Sequence, residues 1–276
     1  MYKFKGYYFK CSSPQHTLAL IPACHGIASS LQIITENSSY NVDLDFLRFG
    51  EKPSRVKTNN CIFSEKGLLL EIDTDEVKAK GLLHFGKLTS LSYDIMGPFK
   101  LLAPILQCRH RVISMYNSVN EKISVNKESF LFRNGKGYIE GDEGVSFPSS
   151  YIWAQCFWNV GSMMLSAADV PLPGFSINGI IGAIITEKKE YRFGTYLGAS
   201  AKYLSRSSAV IKQGDYTLTV KNLSEKGHDL FAPNNGCMNR IICENVKSRI
   251  YVNLKRKNNT LLEFVSDEGS FESEIQ

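Results

Sequence analysis

The chain reads as an all-β sandwich or barrel protein, and three observations predict it. Apolar residues alternate with a period of two again and again. Gly, Asn and Ser turns separate the apolar runs at short intervals. Stretches with an apolar period of 3.6 are scarce. Taken in order, Ile62-Phe63, the turn Ser64-Glu65-Lys66-Gly67 and the run Leu68 to Ile72 form a first hairpin. Val160 to Ala168 is the best helix-like stretch, short and without a clear cap. Tyr191 to Tyr196 alternates, with Gly194 and Gly198 tolerable as bulges or bends. In Tyr216 to Val220, the residues Tyr216, Leu218 and Val220 share a face. Ile250, Val252 and Leu254 share another, and a turn at Asn258-Asn259 leads into Leu262 and Phe264.

At 276 residues the chain is long enough for one large all-β unit or two modest halves. The turn-rich stretch Gly135 to Ser150 is the natural handover, which gives halves at 1–145 and 146–276. Hydrophobic residues at 43% and charged residues at 21% exclude wholesale disorder. No apolar run reaches the ~18 residues that a membrane-spanning helix needs. The opening residues Met1 to Lys10 are charged and aromatic and lack an apolar signal core, which predicts a cytoplasmic protein.

The formal charge of +5 is mild. Lys255, Arg256 and Lys257 read as a solvated hairpin tip, so nucleic acid is not an expected partner. A transient, peripheral contact with an anionic membrane surface stays open, and no obligate protein partner is evident. The seven cysteines are scattered without a C-x-x-C pair, as free thiols in a reducing compartment would be. The five histidines form no metal-binding spacing, so no metal is expected.

The local sequence goes further than periodicity. The stretch Gly137-Tyr-Ile-Glu-Gly-Asp-Glu-Gly-Val-Ser-Phe-Pro-Ser-Ser-Tyr-Ile-Trp-Ala-Gln155 resembles the central motif of the tocopherol cyclase family. Gly6-Tyr-Tyr-Phe-Lys10, Tyr93 to Phe99, Cys108 to Met115, Glu190 to Tyr196 and Ala232 to Arg240 are similar to further family blocks, in the same order. The resemblance implies two lipocalin-like β-barrel or sandwich halves with short helical insertions, a fold shared with carotenoid 1,2-hydratase relatives. It also implies cofactor-independent chemistry. An acid protonates the trisubstituted alkene of a prenyl tail, and a phenol oxygen attacks the tertiary cation to close a ring.

That reaction needs a protonated acid shielded from water, aromatic faces beside the cation and an apolar space for the tail. Glu140, Asp142 and Glu143 lie close together, and in an extended segment Glu140 and Asp142 share a face. The catalytic candidates are therefore Asp142 and Glu140, with His110 and Asp94 behind them. Asp142 is an acid or the cap of a tight turn; Asp94 is an acid or a loop residue. His110, between Arg109 and Arg111, faces inward while the arginines face out, or the reverse. Arg240 and Arg192 are candidates to hold Asp142 or Asp94 ionised. The substrate-binding candidates are Tyr138, Phe147, Tyr151, Trp153, Gln155 and Tyr8; Tyr138, Tyr151 and Trp153 belong to residue types found more often in a core than beside a cation.

The sequence departs from the family pattern at three points. Glu143 stands where Trp is common, Tyr7 stands where Gly-Trp-Tyr is usual, and Phe157-Trp158-Asn159 follows Gln-Cys where Asn tends to follow directly. Two functions follow. One is a cyclase- or hydratase-like enzyme acting on a lipophilic, prenylquinol-like substrate. The other is a non-catalytic lipocalin-like carrier for a hydrophobic small molecule.

Overall fold

The computed structural model describes residues 3–45, 47–50, 55–58, 60–102, 105–159, 161–172, 174–224 and 227–275. The chain forms two compact units. The first comprises Met1–Leu91, His110–Val145 and Leu230–Arg240; the second comprises Ser92–Arg109, Ser146–Asp229 and Ile241–Gln276.

The first unit is built on a sheet of eleven strands: β1 (Phe4–Ser12), β2 (Thr17–His25), β3 (Ala28–Thr35), β4 (Ser39–Leu44), β5 (Arg48–Phe49), β6 (Val56–Lys57), β7 (Ile62–Ser64), β8 (Gly67–Asp73), β9 (Lys78–Phe85), β10 (Cys108–Val125) and β11 (Glu128–Gly144). Their order is β4-β3-β2-β1-β11-β10-β9-β8-β7-β6-β5. The two edge strands are consecutive in the chain, so a short connection brings the edges together and the sheet must curl on itself. The second unit follows the same plan with β12 (Tyr151–Trp158), β13 (Gly161–Leu172), β14 (Phe175–Ile185), β15 (Glu190–Gly194), β16 (Ser200–Ser205), β17 (Ser208–Gln213), β18 (Tyr216–Asn222), β19 (His228–Asn234), β20 (Cys237–Arg256) and β21 (Asn259–Ser273). Its order is β15-β14-β13-β12-β21-β20-β18-β17-β16, with β19 paired to β20; the far end of that β19–β20 hairpin, Leu230–Arg240, belongs to the first unit. Here Gln213, at the end of β17 beside the edge strand β16, reaches the opposite edge strand β15. Its side chain donates to Arg192 O at 2.9 Å and accepts from Gly194 N at 3.0 Å.

Each unit has its own apolar core. In the first, Tyr7, Phe9, Leu18, Leu20, Leu31, Ile33 and Phe63 are all buried on one face of the sheet. In the second, Ile152, Ala154, Met163, Leu165, Ile250 and Val252 do the same. Gly141 serves the first core by absence, since a Cβ there would lie 2.7 Å from the Tyr7 ring.

Three local expectations change. The helix-like stretch after residue 160 is strand β13; Val160 itself lies outside the described residues. Its run of adjacent apolar residues reflects burial on both faces, which erases alternation. Gly135 to Gly144 is not a turn but the end of β11, so Asp142 sits in a strand and not in a tight turn. The β20–β21 turn is Lys257-Asn258, one residue earlier than expected, with Lys257 taking the left-handed φ of 54°. Short helical insertions are present as 3-10 turns at Gly97–Leu102 and Thr195–Leu197. All seven cysteines are free thiols. Among the described residues no helix is long and apolar enough to cross a membrane.

Candidate functional site

Strands β1 and β2, and residues 137–141 of β11, are buried on both faces. One face carries the apolar core. Alternation puts Tyr8, Lys10, Tyr138, Glu140 and Asp142 on the other, because Tyr7, Phe9 and Ile139 belong to the core. The register sets Tyr8 opposite Glu140, Gly6 opposite Asp142 and Lys10 opposite Tyr138. Tyr138 is fully buried, Glu140 and Tyr8 are nearly so, and Lys10 is 1% exposed.

His110, at the start of β10, completes this face. Its Nδ1 lies 2.9 Å from Asp142 Oδ1 and its Nε2 lies 3.3 Å from Glu140 Oε2. The Tyr138 hydroxyl donates to the same Glu140 Oε2 at 2.5 Å. Four side chains thus form one chain, Tyr138–Glu140–His110–Asp142. Glu140 is the deepest acid, with its side chain 7% exposed, and Asp142 the most open at 18%. Burial pulls the His110 imidazole down, but the charges of Asp142 and Glu140 outweigh it and hold His110 well above its ordinary value. Burial, reinforced by Glu140, pushes the Tyr138 phenol well above its own. The imidazole is therefore a stored proton clamped between two carboxylates, and the phenol is a donor that keeps its proton.

Arg111 goes the opposite way from His110. It hydrogen-bonds the core-side Tyr7, whose phenol burial raises. Asp94 lies outside this chain, in the second unit. Its Oδ1 accepts from Met96 N at 2.9 Å and its Oδ2 lies 3.9 Å from Arg109. This is a loop residue's set of partners. Arg192 holds Asp94 by the backbone, donating to Asp94 O at 2.9 Å, while its ion pair is with Glu190 at 3.2 Å. Phe147, Tyr151, Trp153 and Gln155 also belong to the second unit. Phe147 meets Tyr151 edge-on at 6.2 Å, and Gln155 donates to Ser162 Oγ at 3.4 Å. Tyr151, Trp153 and Gln155 are buried on the face of β12 turned away from that unit's core.

His110, Glu140 and Asp142 offer one ligand atom each, all within 4.8 Å of one another. A cation could share them only if His110 gave up its bonds to both carboxylates and a proton. Contacts of 2.9 and 3.3 Å are hydrogen-bond and ion-pair separations, so the donor set as it stands fits a proton better than a metal.

Sequence reasoning missed Lys10, Ser30 and Gln32. The signal was present as polar residues at every second position among buried apolar ones, in Gly6-Tyr-Tyr-Phe-Lys10 and in Ser30-Leu-Gln-Ile33. Gln32 exchanges two hydrogen bonds with the backbone of Phe231, at 2.8 and 2.9 Å. Gly236 N donates to Val145 O at 2.6 Å. These bonds fasten the hairpin tip Leu230–Arg240 within the first unit.

Comparison with protein families gives no match, and no curated protein sequence matches either. Solved structures do match in fold. An AttH candidate from Nitrosomonas europaea superposes with a TM-score of 0.57 at 8% identity, covering 100% of this chain and 93% of that one. Kievitone hydratase from Nectria haematococca superposes with a TM-score of 0.54 at 10% identity, covering 99% and 89%. The chain has an all-β, lipocalin-like fold similar to that of these two proteins.

Proposed function

We propose that the protein protonates the alkene of a lipophilic, prenylated phenol or quinol, a hydratase- or tocopherol cyclase-like reaction that needs no redox or metal cofactor. The observation that carries this reading is the buried chain Tyr138–Glu140–His110–Asp142. Proton transfer to a trisubstituted alkene makes a tertiary cation, so the site must supply a proton and then match a positive charge. His110, kept protonated, passes its proton across the 2.9 Å contact to Asp142, the most open member, which hands it on to the alkene. Glu140, steadied by the Tyr138 hydroxyl, holds the other imidazole nitrogen and leaves negative charge beside the developing cation.

Water attack on the cation gives a tertiary alcohol and returns one proton to the cluster. Attack by the substrate's own phenol oxygen closes a ring and returns the phenolic proton. The fold shared with a protein named as a hydratase supports the first branch, and the resemblance of the central motif supports the second.

The test is incubation of the purified protein with a panel of prenylated phenols and quinols, followed by mass spectrometry. Hydration adds the mass of one water, whereas cyclisation leaves the mass unchanged and shifts retention. Asp142→Asn should lower turnover by about 10²–10⁴ with the fold intact. Binding without turnover in the wild type would sink the enzyme reading and leave a lipocalin-like carrier.

A further inference from the structure

Exposed aliphatic side chains are scattered over most proteins and mean nothing singly. Ile27, 96% exposed at the tip of the β2–β3 hairpin, is such a case. The connection from β9 to β10 is different. Its 3-10 turn Gly97–Leu102 has no buried residue, and Leu101 is 76% exposed. Leu102 is exposed beside it, and Ile105 follows at 54%. Leu197 ends the turn Thr195–Leu197, against which the first turn packs, and is exposed as well.

These side chains stand on a fixed base. Phe99 meets the Tyr196 ring edge-on at 5.9 Å, and a Cβ on Gly97 would lie 2.6 Å from the same ring. The Tyr196 hydroxyl donates to Ile95 O at 3.3 Å, and Arg192 donates to Asp94 O at 2.9 Å. Ile105 N and Leu106 N both donate to Leu102 O, at 2.9 and 3.2 Å. The aliphatic tips are thus held out in water, where they cost hydrophobic free energy that a partner would recover. Lys100, exposed among them, is the only charged residue from Gly97 to Gln107. The acids at the base of the connection face arginines, Asp94 with Arg109 and Glu190 with Arg192.

A protein partner would find almost no polar rim on this ridge. The interfacial zone of an anionic bilayer fits it better: aliphatic side chains enter the acyl boundary while a lysine meets the lipid phosphates. We propose that the ridge is the protein's contact with an anionic membrane surface, through which it takes up its lipophilic substrate. The uptake role rests on the function proposed above; the contact does not.

Flotation with phosphatidylcholine vesicles, made with and without phosphatidylserine, tests it. Wild type should float with the anionic vesicles. Leu101→Asp, at a side chain already in solvent, should lower partitioning about tenfold or more. Lys100→Gln should lower it about fivefold on anionic vesicles and leave it unchanged on neutral ones. Turnover of a short prenylated phenol dissolved in water should be the same in wild type and Leu101→Asp. Turnover of a long-chain one held in vesicles should fall in Leu101→Asp as partitioning falls, and equal turnover there would overturn the uptake role. A wild type that stays out of the vesicles, or a Leu101→Asp that floats as well as wild type, overturns the contact. So does a wild-type dimer that Leu101→Asp dissociates, since the ridge is then an interface between copies. Vesicle binding that Leu101→Asp abolishes, with no turnover of any prenylated phenol, upholds the contact and overturns the function.

Discussion

The two faces of the first unit's sheet are buried alike and composed differently. On one face Tyr7, Phe9, Leu18, Leu20, Leu31 and Ile33 pack as an apolar core. On the other, a single residue away along each strand, lie Tyr8, Lys10, Tyr138, Glu140, Ser30 and Gln32. Apolar burial stabilises the fold, whereas polar burial is at best neutral unless every group is paired. The second face therefore contributes little that an apolar face would not, and it is the face that carries the proposed site. Burial alone does not separate the apolar core from the proposed site; the parity of a position along its strand does.

Substitutions on the two faces should fail in different ways. Glu140→Gln keeps the shape but removes the charge that holds His110 and accepts from Tyr138. Turnover should fall by about 10²–10⁴, with a melting temperature within a few degrees of wild type. Phe9→Ala, one residue from Tyr8 on the core face, should lose about 3–5 kcal/mol in denaturant unfolding. The fraction that stays folded should turn over normally. If the two variants showed the same loss, the division between faces would be wrong. Gln32→Leu leaves the N–H and C=O of Phe231 without their partner, at about 1–3 kcal/mol, read as faster amide exchange at residues 230–240.

The smallest effects separate two histidines within the first unit. His110 is raised above 6.5 by its carboxylates, so the stability it contributes is complete below pH 6.5. That stability is lost as the pH rises through its folded value. His25 is lowered by burial, with the Asp43 charge opposing. Its contribution is present above pH 6.5 and is lost as the pH falls through its folded value. Unfolding free energy measured against pH should accordingly lose its alkaline slope in His110→Gln and its acid slope in His25→Gln. Matching slopes in the two variants would mean that the electrostatic contrast is absent.

Much of the fold is legible in the sequence where one face is solvated. The β7–β8 and β20–β21 hairpins alternate clearly and are found as expected, the second with its turn shifted by one residue. The stretch from Gly161 to Ala168 misleads because burial on both faces removes the period. The turn-like look of Gly135 to Gly144 has a steric origin. Gly137 and Gly141 make room for Asn117 and Tyr7 while the strand continues. Of the site, the shared face of Glu140 and Asp142 follows from spacing alone. Their meeting with His110 does not, because it needs the long β10–β11 hairpin to close at Asn126-Lys127 and hold its register over about sixteen residues on each side of that turn. Ser30 and Gln32 stay hidden for a related reason, since polar residues at alternate positions normally mark a solvated face.

The most direct test of the central claim is turnover of a prenylated phenol in D₂O by wild type, Glu140→Gln and His110→Gln, each first shown to be folded. The account predicts that wild-type product carries one deuterium on the former alkene carbon and that both variants form little product. Equal rates and equal deuterium incorporation in all three proteins would contradict it.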